Sequence, residues 1–224
     1  SAIRSERRRT GKGKTLVMEE HLWSGFSGLV IGIGLAAACG FRILIPFLGL
    51  SSAAMSGYIR PAPEFSWIGT QTALLAFATA AILEIAAYSV PWIDNLLDAA
   101  ATPLAAAAGV IATAAVLTDV SPFLKWTIAL IAGGGVAGTI STGTTLLRGV
   151  STASTGGAAN PLLAAAEFAG AALTTFFSLL APIVGLIFAI LAAVAVMMIL
   201  RRRRRRRAAC GRGTRAGVEA IRKV

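Results

Sequence analysis

Apolar residues recur along this chain in runs much longer than one face of a soluble helix requires. The first extends from Gly25 to Leu50, the second from Gln71 to Val90, the third from Leu96 to Leu117, the fourth from Phe123 to Leu147 and the last from Leu162 to Leu200. The hydrocarbon core of a bilayer is roughly 30 Å thick, and a helix needs about 20 apolar residues to cross it. Each of the first four runs therefore predicts one spanning helix. They stop in turn at Ser51-Ser52, at Pro91, at Asp119 with Pro122, and at the Ser/Thr/Gly-rich stretch after Arg148. The last run, 39 residues, would be about 58 Å long as one helix, nearly twice the hydrocarbon thickness. It has to fold back. Pro182 with Ser178 supplies the break, because proline removes a backbone donor and clashes with the preceding turn. The pattern predicts an all-α polytopic membrane bundle of six transmembrane helices.

Composition agrees: of 224 residues, 56% are hydrophobic and 14% charged, where a soluble domain carries about 25% charged residues. The formal charge of +11 sits at the ends. Arg4, Arg7, Arg8, Arg9, Lys12 and Lys14 precede the first run, and Arg201, Arg202, Arg203 and Arg204 open the basic block after the last. This divides the chain into a basic N-terminal tail (1–24), a membrane domain (25–200) and an Arg-rich C-terminal tail (201–224). An even number of spans puts both tails on one side. The positive-inside tendency makes that side the cytoplasm, so the expected location is the inner membrane. Basic blocks at helix ends attract anionic headgroups. The C-terminal tail lacks the interleaved aromatics of a stacking platform, so nucleic acid is not an expected partner. Nothing in the pattern excludes a homo-oligomer.

Several chemistries are disfavoured. His21 lies at headgroup level beside Trp23, and Cys39 and Cys210 are too far apart in depth to pair. No Ser-His-Asp set, H-E-x-x-H or C-x-x-C is present, and the "GKGKT" stretch from Gly11 has Arg8 where a phosphate loop needs its first glycine. No enzyme, cofactor or metal site is expected.

Polar residues within the spans carry the functional expectation. Counting depth along six helices places Glu84, Asp94, Asn95, Asp98, Arg148, Asn160 and Glu167 at one cytoplasmic-facing level. Asp94 and Asp98 are four apart and share a helix face. Asp94 also suits an N-cap, but Asp98, Glu84 and Glu167 are harder to account for, since burying an ionisable group in a membrane costs several kcal/mol unless it is paired or wetted. One reading is a small transporter or channel-like protein with an acidic cation or proton site. The alternative is a non-transporting scaffold in which Arg148 neutralises an acid and the polar layer only fixes helix packing.

Arg42, in "GFRILIP", is expected toward the outer side, snorkelling to headgroups or pairing with Asp119. If Gly40 and Pro46 broke the helix, its guanidinium would instead enter an anion-binding gap. Asn160-Pro161 reads as a cap and first turn, and Gly156-Gly157 as a tight turn. Gly32–Ser52 can be laid against Gly133–Ala153, and Thr102–Val116 against Ala181–Ala195, which suggests two inverted three-helix repeats with Glu84 and Glu167 in their middle helices.

Three ordered segments, "GIGLAAACGFRILIPFLGL", "VPWIDNLLDAAATPL" and "STGGAANPLLAAAE", resemble the bacterial multi-pass proteins grouped as domain of unknown function 4126. The likeness runs from about Gly25 to Leu200. It implies a six-helix integral membrane protein with no assigned activity and no catalytic residues to carry over. Arg42, Asp94, Asn95, Asp98, Gly156, Gly157, Asn160, Pro161 and Glu167 would fall in the family's recognisable segments.

Overall fold

Pro46 divides the first apolar run. A proline inside a helix cannot donate to the carbonyl four residues earlier, and its ring collides with that carbonyl, which here belongs to Arg42. In the computed structural model, which describes residues 25–87, 91–184, 186–187, 189–198 and 201, with backbone alone for 85–87 and 91–99, the run forms two helices. These are α1 (Gly25–Phe41) and α2 (Leu44–Met55). A 3-10 helix (Pro63–Gly69) leads into α3 (Gln71–Ala87), followed by α4 (Pro91–Val116). The chain continues through α5 (Pro122–Thr155), α6 (Asn160–Leu180) and α7 (Pro182–Met198).

The chain reverses at Arg42–Ile43. Gly25 packs near Val120 and Gly28 against Val116, at what we call the upper end, where α4 passes into α5. From there α1 descends until Gly40 meets Ala137 and Ile140 of α5. α2 then climbs back: the Leu44 N–H bonds Glu84, Phe47 packs on Phe77, and Gly49 meets Thr175 and Leu179. The segment beyond it returns to α4, where the Ala62 N–H donates to the Ala115 carbonyl at 2.8 Å. α1 and α2 thus form a hairpin with Arg42 at its tip.

This overturns the expectation that Gly25–Leu50 crosses once. α7 descends beside α5, with Ala189 in one cluster with Ile140, and Val196 against Gly143. The described helices therefore begin at the upper end and finish toward the lower one, where α5 turns into α6, and not both on one side. Residues 1–24 and 202–224, with Arg202, Arg203 and Arg204, lie outside the described residues; Arg201 is exposed. The suggested repeat is not reproduced either. Gly32–Ser52 folds as the hairpin, while Gly133–Ala153 lies within one continuous helix.

By length and composition, α5 and α6 suffice to cross a membrane. A third candidate is the 3-10 helix with Gln71–Glu84, if that pair, bent by 67°, counts as one span. The break at Pro182 is present, with α6 ending at Leu180. The exterior is apolar where that of a soluble protein is polar, and several charges are buried. Phe123 is 82% and Leu162 75% exposed on the outside, while Arg42, Lys125, Arg148 and Glu167 are buried. In water such an exterior would be an extended apolar patch; against lipid it is the natural one.

Glycines let α1, α4 and α5 approach closely. A Cβ on Gly109 would lie 2.7 Å from the Gly133 carbonyl oxygen, and the Thr113 hydroxyl donates to the Gly32 carbonyl across the α1–α4 seam. α5 accommodates this contact with a π-helical stretch, Ala129–Gly134, in which one turn is widened. At the upper end the segment with Tyr58, Pro61, Pro63 and Trp67 folds down as a cover: Ala62 and Ile68 are buried, and the Ser51 hydroxyl donates to the Ile68 carbonyl. Lys125, buried on α5, holds Glu64 of this cover at 2.6 Å. Neither residue of that pair stands out in the sequence.

The hairpin makes a direct prediction for single cysteines placed in a Cys210→Ser background. Gly25→Cys and Ser56→Cys should react with an impermeant maleimide from the same side, and Ser154→Cys from the opposite one. Labelling of Gly25→Cys and Ser56→Cys from opposite sides would mean that the first run crosses once.

Candidate functional site

The hairpin tip lies where α3, α5 and α6 bring their charges together. Arg42, 4% exposed, donates through Nη2 to the Ala164 carbonyl at 3.4 Å and lies 3.7 Å from Glu167 Oε2. Arg148 stands about two turns before the end of α5, where Gly156 (φ 63°) and Gly157 (φ 91°) take left-handed backbone and make the tight turn into α6. Its guanidinium grips Glu167 with two parallel bonds, Nε to Oε1 at 3.0 Å and Nη2 to Oε2. Such a fork is the strong form of the ion pair. The geometry follows from position: seven residues from the end of α5 and seven from the start of α6 bring both groups to the same depth.

Glu84 serves a different partner. The first N–H groups of any helix lack acceptors within it, and Ile43, the residue before α2, offers no side-chain cap. Glu84 accepts from the Leu44 N–H at 3.4 Å. The break thus creates a donor, and a carboxylate from α3 answers it.

Between these groups is a cavity of about 40 Å³, room for roughly two or three water molecules or one small ion. Its charged lining is Arg42, Glu84, Arg148 and Glu167. α5 adds Ser141, Thr144 and Thr145, and α4 adds Ala101, Leu104 and Ala105. Two guanidiniums face two carboxylates, so this lining is neutral with all four charged. Among the described residues no group of three or more His, Cys, Asp or Glu could hold a metal ion.

Of the residues expected in one polar layer, the structure brings together Glu84, Arg148 and Glu167. Asn160 is not the cap of α6: the helix begins at that residue, and its Nδ2 donates to Thr152 Oγ1 at 3.1 Å, away from the cavity. The Asp94, Asn95 and Asp98 side chains lie outside the described residues; their backbone belongs to α4, with Asp98 three residues before the cavity-lining Ala101. Arg42 lies beside Glu167 and Ala164 at the hairpin tip, away from Asp119. Asp119 is in the upper connection between α4 and α5, where it accepts from the Thr118 hydroxyl. The reason is the break at Pro46, which takes Arg42 from the outer part of one expected span to the tip of a hairpin. The signal was Pro46 itself, four residues on. The hydroxyl lining from α5 had no signal apart from the small-residue density of that helix.

The fold and site define a class: an all-helical protein whose apolar exterior surrounds a buried cluster of opposite charges at a helix break. The chain belongs to the family described as domain of unknown function (DUF4126), whose profile matches residues 29–202. No curated protein and no solved structure matches it.

Proposed function

We propose that this is a multi-pass inner-membrane protein that passes a small ion or protons, acting as a small transporter or channel-like protein through the cavity at the hairpin tip. The observation that carries the reading is a helix break whose tip lines a polar cavity, which this reading sets within the bilayer. Irregular backbone inside a membrane is tolerated only where it is buried in protein or lines water, and transporters use discontinuous helices of this kind to present helix ends to a solute. Ionisable side chains at that depth are costly and mark pathways by default. In this reading the hairpin enters from the upper side, α3 to α7 alternate across the bilayer, and the basic residues from Arg201 onward meet anionic headgroups. The expectation of an acidic cation site loses its electrostatic advantage once Arg42 joins the cluster.

A second reading has one observation in its favour. The two-bond Arg148–Glu167 clamp ties α5 to α6 as a structural pair would, and a scaffold needs nothing more. Flux separates the two. Protein reconstituted in liposomes should pass at least one of protons, alkali cations, halides or formate. Glu84→Gln should change that flux by roughly ten-fold, about 1.4 kcal/mol in barrier terms, downward for protons or a cation and upward for an anion, while keeping the protein folded. No flux for any of these ions, with Glu84→Gln only lowering the melting temperature, leaves the scaffold.

A further inference from the structure

The charges around the cavity are not equivalent in what they can become. Among the described residues the titratable and charged side chains facing it are Cys39 from α1, Arg42 from the hairpin tip, Glu84 from α3, Arg148 from α5 and Glu167 from α6. A guanidinium does not lose its proton in a protein. A carboxylate can gain one. The four-charge lining therefore ranges from neutral toward positive, and it cannot become negative by titration of Arg42, Glu84, Arg148 and Glu167.

A second observation concerns what the guanidiniums already hold. Arg42 and Arg148, from elements far apart in the sequence and each 4% exposed, converge on one carboxylate. That carboxylate is itself a small monovalent oxyanion on a tether. Guanidinium forks match carboxylate geometry in a way that a point cation does not. At the start of α2 the Leu44 N–H is directed at Glu84 on the cavity wall, and a helix N-terminus favours negative charge. Ser141 and Thr145 add hydroxyls to the wall. Glu84 lies on the same wall and opposes an anion while it is charged. The volume, about 40 Å³, suits a halide or formate.

We infer that the cavity binds a small monovalent anion between Arg42, Arg148 and the start of α2, and that the Glu167 carboxylate is a built-in competitor for the same guanidiniums. The inference rests on the transport reading only for its purpose; binding can be measured without flux. When a competing group occupies a site, apparent affinity falls by the fraction of time the site is free. Removing the competitor's charge therefore tightens binding.

Purified full-length protein is melted in sodium fluoride, chloride and formate against sodium gluconate, and in chlorides of sodium, potassium and N-methylglucamine, all at one ionic strength. Stabilisation should saturate, and it should follow the anion and not the cation. Glu167→Gln should lower the apparent Kd for chloride or formate about ten-fold, and Arg42→Gln should abolish saturation. If Glu167→Gln does not fold, the wild-type anion and cation series decide alone. Stabilisation that tracks the cation, or is indifferent to both ions, overturns the inference, as does unchanged affinity in a folded Glu167→Gln. Cation flux without anion binding overturns it while the transport reading survives. Saturable anion binding without flux supports it and refutes transport.

Discussion

Arg148→Met is expected to destabilise the protein by about 3–5 kcal/mol, the usual cost of leaving one partner of a buried ion pair uncompensated. Arg148 and Glu167 are both buried and joined by two hydrogen bonds, so the methionine removes both bonds and strands a carboxylate where water is scarce. Arg42 remains 3.7 Å from that carboxylate and retains part of the compensation, which moves the expected loss toward the lower end of the range. The double variant Arg148→Met/Glu167→Met should recover part of the loss, because well-packed apolar residues often replace a buried pair at little cost, while buried Arg42 loses the carboxylate 3.7 Å away. A double-mutant cycle on unfolding of the micelle-solubilised protein gives the coupling directly. A single variant as stable as wild type would show that the clamp contributes nothing to the fold.

The second large effect concerns the α4–α5 seam. On Gly133 an added Cβ would lie 2.5 Å from the Gly109 carbonyl oxygen. That neighbour is backbone and cannot rotate aside. Gly133→Ala should therefore cost about 1–3 kcal/mol, the range for overpacking a filled interior, and Gly133→Val more. Gly135, two residues on in the same helix, has nothing within 4 Å of the corresponding position. There Ala should be neutral or stabilising by up to about 1 kcal/mol, from helix propensity alone. Melting temperatures of the two alanine variants, side by side, test the seam with its own control. Equal temperatures would mean that α4 and α5 are not in close contact at Gly109 and Gly133.

Depth counting along the sequence put Glu84, Arg148 and Glu167 at one level because it used distances from helix ends, which strong local signals mark, and in the structure the three line one cavity. Gly156-Gly157 ends α5 with two left-handed residues, and Pro182 ends the fold-back in the last run. Asn160 failed as a cap because its amide finds Thr152 across the turn, a contact between helices that local spacing does not encode. The Lys125–Glu64 pair joins residues from two elements far apart in the chain, and neither residue belonged to a recognisable pattern.

Arg42 shows where the boundary lies. An apolar run of a given length reads the same whether it crosses a bilayer once or turns back halfway, since lipid-facing and protein-facing positions are both apolar and hydropathy carries no direction. The sequence alone was sufficient for the membrane-like class, the helix count in the second half and the family. It also contained Pro46, which makes a break possible. Only packing decided that the break becomes a reversal: Gly28 sits against Val116, Ala62 bonds Ala115, and Glu84 is present to accept from the exposed turn of α2. Those contacts join segments dozens of residues apart. Their combined free energy, and no local preference, carries Arg42 to Glu167 and closes the cavity around both.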